Sequence, residues 1–178
     1  SVLDNSVDFG ITQLPVTDKK IAVVQVHSDE IRLLVPPDHP LASQNSVRAE
    51  DVAKYPLLLP KQGRTRSRID EYLEDFEDDL TISMELESSE MVKQFIRAGL
   101  GVGFMAVTHA GSELRHGELV ALRIEPLPMI RTIGLIYRKD KALSRAGLGF
   151  IEVIADFARN AANRETAPER RVVRSKVS

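Results

Sequence analysis

Between Ser88 and Met105 the chain reads as a serine-capped amphipathic helix that ends on glycine and turns at once into an apolar strand, Ala98-Gly99-Leu100-Gly101-Val102-Gly103-Phe104. Glycine suits the left-handed position that closes a helix, and a short apolar run directly behind it reads as a buried strand. A helix joined so tightly to a buried strand is a building unit of parallel sheets, which places the chain in the α/β class. A second helix start lies upstream in the loop Lys61 to Arg68, where Gly63-Arg64-Thr65-Arg66-Ser67-Arg68 carries three arginines in five residues. Two helix N-termini beside buried strands make a natural cradle for a small anion.

The other elements agree with that class. Val7 to Ile11, Ile21 to Val26 and Ile31 to Val35 read as strands, the last stopped by Pro36-Pro37. Asp38 to Ala42 is a turn, Val47 to Lys54 a short helical piece, and Leu57-Leu58-Leu59 a buried strand. The spacing of Ile69, Tyr72, Leu73 and Phe76 predicts a helix over Ser67 to Asp78, capped by Thr65 or Ser67. Thr81 to Leu86 alternates as a strand, and the next helix buries Met91, Val92, Phe95 and Ile96. Strands follow at Val102 to Val107, Leu119 to Ile124 and Thr132 to Tyr137, with one helical turn at Ser112 to His116 and a proline linker at Pro126 and Pro128. The last helix, Arg145 to Ala162, presents Phe150, Ile151, Ile154, Phe157, Ala158 and Ala161 on one face, and residues 163–178 read as a disordered tail. A mainly parallel sheet follows from the alternation.

Composition closes off several classes of function. A net charge of −2 gives this segment no basic field for nucleic acid. There is no cysteine, so neither disulfides nor thiolate chemistry is available. No apolar run approaches the roughly 20 residues of a membrane span. The four histidines, His27, His39, His109 and His116, lack metal-ligand spacing, and no G-x-S-x-G elbow or acid–base pair stands out. The expectation is therefore a non-enzymatic binding domain with no cofactor and no metal. The chain opens inside a strand motif on a residue other than Met, and it reads as a fragment.

Helix starts favour acidic side chains, because their free N–H groups and dipole are positive. Arg64, Arg66 and Arg68 run against that preference. Either an anionic ligand relieves the conflict, with guanidinium groups suited to carboxylates, or the arginines pair with Asp70, Glu71 or Glu74. Gly99-Leu100-Gly101-Val102-Gly103 is not a dinucleotide fingerprint, because the helix precedes it and Phe104 follows.

Taken in order, several segments resemble the effector-binding domain of LysR-type transcriptional regulators. They are Val7-Asp8-Phe9-Gly10-Ile11, Leu34 to Ala42, Asp51 to Leu59, Gly63 to Asp70, Ser89-Glu90-Met91-Val92-Lys93 and Ala98 to Gly103. The resemblance covers roughly residues 3–160. It implies a fold like that of type II periplasmic binding proteins, two α/β subdomains joined by two crossover strands. The first subdomain would hold residues 1–26 and 130–162, without its opening strands and helices, and the second residues 27–129. The implied ligand is a small effector, a carboxylate or other anion, in the cleft. The positions that match the family's cleft are Thr12, Gln13, Gly63, Arg64, Thr65, Ser88, Gly103 and Phe104. The resemblance also implies a cytoplasmic homo-dimer or tetramer that touches DNA through an N-terminal winged helix-turn-helix outside this segment, and no membrane. Closure about Val26-His27 and Pro128-Ile130 would relay binding to that domain. A solute-binding protein of a transporter is the alternative on the same fold, and an enzyme a third.

Overall fold

The apolar runs at Ile21–Val26 and Ile31–Val35 belong to one 15-residue strand, not two. The polar stretch between them stays extended because its buried acid, Asp29, finds partners on other elements. The computed structural model describes residues 2–4 and 6–165. Its elements in chain order are β1 (Phe9–Gln13), β2 (Ile21–Val35), β3 (Ser46–Val47), α1 (Ala49–Val52), β4 (Leu57–Pro60), α2 (Arg64–Leu73), β5 (Ile82–Leu86), α3 (Ser89–Arg97), β6 (Val102–Ala106), α4 (Gly111–Arg115), β7 (Val120–Ile124), β8 (Met129–Arg138) and α5 (Arg145–Glu165). Short 3-10 segments occupy Pro40–Ser43, Glu74–Asp79 and Val107–Ala110.

The chain divides into two units, with boundaries between His27 and Ser28 and between Arg131 and Thr132. The long strands β2 and β8 carry the chain across both boundaries.

In the unit formed by residues 28–131, β4 runs parallel to β5 and to β6, while β2 is antiparallel to β6 and β7. The strands are thus parallel across β5-β4-β6 and in the short pair β3-β7 but antiparallel at β2, so the sheet is mixed, a correction to the mainly parallel sheet expected from the alternation. The reason is that β2 has no crossover helix before it in this unit, and only such a crossover imposes parallel order. Successive side chains of a strand point to opposite faces, and both faces here are covered. Leu33, Leu57, Leu59 and Phe104 pack with Val52, Ile69 and Leu73, and Leu34, Leu58 and Met105 pack with Val92 and Ile96. That is why Leu57, Leu58 and Leu59 are all buried.

Helices α2 and α3 depart from expectation. Helix α2 begins at Arg64, three residues before Ser67, and neither Thr65 nor Ser67 caps it; Gly63 takes the cap position at φ 105°. Glycine reaches that conformation without a Cβ penalty. Beyond Leu73 the helix tightens to 3-10 geometry through Glu74-Asp75-Phe76-Glu77-Asp78-Asp79, where like charges crowd an ordinary helical turn. In α3 Met91 is 47% exposed, whereas Lys93 is buried. The face turns because Lys93 has an acid to meet, Glu113 on α4.

In the other unit β1 is antiparallel to β8, with Phe9 opposite Tyr137 and Thr12 opposite Gly134. The Phe150 ring of α5 stands 5.3 Å from that of Phe9. Ile151, Ile154 and Ala158 are half-buried, but Phe150 and Phe157 of the expected apolar face are exposed. The side chain of Ala161 lies outside the described residues. The helix itself continues to Glu165, past the expected start of the tail, and residues 166–178 are outside the description.

Candidate functional site

Because β4, β5 and β6 are parallel, their carboxyl ends share one edge of the sheet, and each leads into a helical turn. In open α/β sheets this edge is where ligands bind. Strand β4 delivers Lys61-Gln62-Gly63 and the start of α2; β5 delivers Glu87, Ser88 and the start of α3; β6 delivers the turn Val107–Ala110. The first two loops are tied together. Lys61 donates its N–H to the Leu86 carbonyl at 3.0 Å, and its Nζ lies 3.1 Å from Oε1 of Glu87.

The two helix starts differ in chemistry. At α3 the protein supplies its own acceptors: Ser88 Oγ accepts from the Met91 N–H at 3.5 Å, and Glu90 sits in the first turn. At α2 no side chain caps the N-terminus and the first turn holds no acid. The dipole and N–H groups of α2 are left to attract an anion from outside.

The three arginines divide their roles. Arg66, 18% exposed at the side chain, donates to Asp70 at 2.7 Å, to Glu85 on β5, and to the Pro60 carbonyl at 3.0 Å. It is a structural clamp, and the pairing expected as the alternative to a ligand is realised for this residue. Burial works to lower its pKa, but the hydrogen bonds it donates to Glu85 and Asp70 outweigh this and raise the already high value, so it stays charged. Arg68 donates to the carbonyl of Ile130. Arg64 is exposed at the first position of the helix, beside half-buried Thr65.

Among the other expected positions, Gly103 and Phe104 lie in the middle of β6 and are buried. A β-carbon on Gly103 would stand 2.8 Å from the Leu58 carbonyl oxygen and against Ile96 and Val92. Phe104 meets Tyr72 edge to face at 6.0 Å. Both are packed into the sheet. Thr12 and Gln13 end β1 in the other unit and are half-buried. The structure therefore brings Gly63, Arg64, Thr65 and Ser88 to one sheet edge.

A cavity of about 500 Å³ beneath α2 is floored by Leu59 and Leu73 and rimmed by Asp70, Glu71 and Glu74. Its acidic rim does not suit an anion. Among the described residues no three His, Asp or Glu side chains group as a metal site, and no helix is long and apolar enough to cross a membrane.

Sequence reasoning missed one charged network. Asp29 on β2, 6% exposed, accepts from Thr108 Oγ1 and from Arg131 Nη2 at 3.1 Å. The same Nη2 lies 3.0 Å from Nε2 of His109. The partners stand 79 and 102 positions from Asp29, so no local spacing announces them. The available signal was the acid pair Asp29-Glu30 between two apolar strand segments.

This geometry is that of an α/β domain whose sheet edge gathers two helix starts. Residues 1–159 match the family model described as LysR substrate binding domain, and the chain belongs to that family. It is 29% identical over 157 residues to the RuBisCO operon transcriptional regulator of Allochromatium vinosum, covering 87% of this chain and 52% of that protein. It is 31% identical over 144 residues to the HTH-type transcriptional regulator CbbR of Cereibacter sphaeroides, covering 80% of this chain and 46% of that protein. The chain thus spans about half the length of the curated relatives it matches. Among solved structures it superposes on the Synechocystis PCC6803 CcmR regulatory domain in complex with 2-PG, with TM-score 0.78, 22% identity, and coverage of 89% of this chain and 77% of that one. The fold is that of two α/β subdomains with crossover strands, and the solute-binding alternative gives way to the regulator family.

Proposed function

We propose that this chain is the effector-sensing domain of a LysR-type transcription regulator, and that a small organic anion binds at the start of α2. One observation carries the site: of the two adjacent helix starts, α3 is capped by Ser88 and flanked by Glu90, while α2 offers an uncapped N-terminus with arginine in its first turn. Backbone N–H groups near Gly63, the Thr65 hydroxyl and the Arg64 guanidinium form the anion-attracting set. Ser88, already engaged as a cap, borders it. The clamp of Arg66 on Pro60 and Glu85 holds the loop in place. Gly103 and Phe104 support the edge from within the sheet, whereas Thr12 and Gln13 belong to the other unit.

The regulator reading also draws on the two relatives, both transcriptional regulators by name. The CcmR regulatory domain binds 2-PG, which supports a small anion here too. In the whole protein a cytoplasmic oligomer would pass the binding signal to DNA contacts made by another domain, since this segment has net charge −2. A ligand can shift that equilibrium only through its preference for one state.

The test is thermal unfolding with 2-PG and with inorganic phosphate as probes. A bound anion raises Tm with concentration. Replacing Arg64→Ala and Thr65→Val together abolishes the rise and leaves the ligand-free Tm nearly unchanged. A rise that survives the double replacement removes this site assignment.

A further inference from the structure

The network around Asp29 lies beside both chain boundaries of its unit: Asp29 is one residue inside the first boundary, and Arg131 is the last residue before the second. We propose that His109 is a proton-operated latch, which when neutral bonds the turn Val107–Ala110 directly to Arg131 on β8 and when protonated gives up that bond, leaving Thr108 on Asp29 as the turn's remaining tie.

The geometry fixes the protonation state of the closed latch. Arg131 Nη2 donates to His109 Nε2 at 3.0 Å, so that nitrogen must carry the lone pair and not a proton. Guanidinium cannot give up its proton to adapt. Protonating Nε2 removes the acceptor and sets two cations at hydrogen-bond distance. Asp29 does not neutralise the new charge, because its carboxylate is already shared between Arg131 and Thr108. Arg131 keeps Asp29, so His109 is the partner that leaves. His109 is exposed and open to solvent protons, whereas Asp29 is buried. Arg131 also has its Nε buried without a hydrogen-bond partner, so the guanidinium is incompletely bonded while the latch is closed and has a donor in reserve when it opens.

The charged groups facing the imidazole come from three elements: Arg131 on β8, Asp29 on β2 and Lys93 on α3. Lys93 is itself engaged by Glu113 and Glu90. Desolvation of the ring is the largest influence and lowers its pKa; Arg131 adds to this, Asp29 opposes it, and Lys93 lowers it further. The group therefore titrates below 6.5, and the attachment it provides is present above that pH and lost as pH falls through the lower folded value. The turn follows β6 directly, so the latch acts at the sheet edge already described.

The experiment is hydrogen exchange on the full chain, above and below the His109 titration, with the pKa of that ring read by NMR. Protection factors corrected for intrinsic exchange should fall about tenfold at residues 107–110 and 130–132 as pH drops through the titration of the ring. His109→Gln, a neutral side chain able to accept from Arg131, should show no such step. A step of equal size in His109→Gln, or no step in the parent chain, overturns the latch. Should the variant fail to fold, the parent titration still decides: a His109 pKa at or above 6.5 overturns it.

Discussion

Gly103 on β6 and Leu58 on β4 approach so closely that a β-carbon on the glycine would stand 2.8 Å from the leucine's carbonyl oxygen. The opposing atom is backbone, held where Leu58 pairs in parallel with Gly103, and cannot swing aside. Gly103→Ala is therefore expected to destabilise the domain by about 1–3 kcal/mol in urea unfolding. Gly149→Ala is the control. Nothing lies within 4 Å of a β-carbon there, and the residue is inside α5. That change should be neutral or stabilise by up to about 1 kcal/mol. Equal losses in both variants would show that the close approach does not set the cost.

The same glycine shows what the sequence discloses and what it does not. Its place after a helix, with Gly99 at φ 74° closing that helix, is legible because backbone conformation is a local property. The three consecutive leucines of β4 likewise announce a strand covered on both faces. The start of α2 was not legible, because Gly63 and Thr65 are both acceptable caps and only the tertiary clamp of Arg66 decides between them. Lys93 and Asp29 were missed for a related reason. Each is a charge on an otherwise apolar element, and its burial depends on a partner far along the chain. The anion cradle could be read in outline from the arginines and the helix starts. Which arginine is structural required the coordinates.

Arg66 should behave differently from Arg64. Arg66→Leu removes contacts to three groups and leaves the half-covered Pro60 carbonyl and Glu85 without their donor. Hydrogen bonds to charged groups contribute about 1.5–3 kcal/mol, and exposure of Glu85 and Asp70 places the expected loss at the lower end, near 1–2 kcal/mol. Arg64→Leu, at an exposed side chain, should cost less than Arg66→Leu. Chemical unfolding of the two variants checks this; comparable losses would show that Arg64 is part of the scaffold as well.

Lys93 and Glu113 form an ion pair at 2.7 Å, each side chain 11% exposed, with Glu90 as a second partner of the lysine. Removing one member leaves the other charge poorly compensated. Lys93→Met is expected to cost about 2 kcal/mol at neutral pH. The bond from Lys93 is the main reason the Glu113 carboxyl lies below its ordinary 4.5, and the bond to Glu113 is the main reason Lys93 lies above its ordinary 10.5. The carboxylate's contribution is present above pH 4.5 and lost as pH falls through its lower folded value. The ammonium's contribution is complete below pH 10.5 and lost as pH rises through its higher folded value. The stability gap between parent and Lys93→Met should thus be flat between those limits and shrink outside them. A gap that does not change with pH would mean that the lysine acts through packing alone.

Tyr72 links two strands: its ring meets Phe104 of β6 and its hydroxyl donates to the Val47 carbonyl of β3 at 3.3 Å. Burial is the main cause that pushes its phenol up to about 12, with the carboxylates of Asp51 and Glu125 acting the same way. A folded pKa above the ordinary 10.0 means that the native state holds the proton longer than the unfolded chain. Its contribution to stability is complete below pH 10 and declines as pH rises toward 12. Ultraviolet titration should resolve one tyrosine ionising near 12, and Tyr72→Phe should remove that component. The variant keeps the ring contact and loses one long hydrogen bond, so its loss at neutral pH should be no more than about 1 kcal/mol. Its alkaline unfolding curve should fall less steeply between pH 10 and 12 than that of the parent. A high-pH component that persists in Tyr72→Phe would assign the ionisation to another tyrosine and remove burial at this position as its cause.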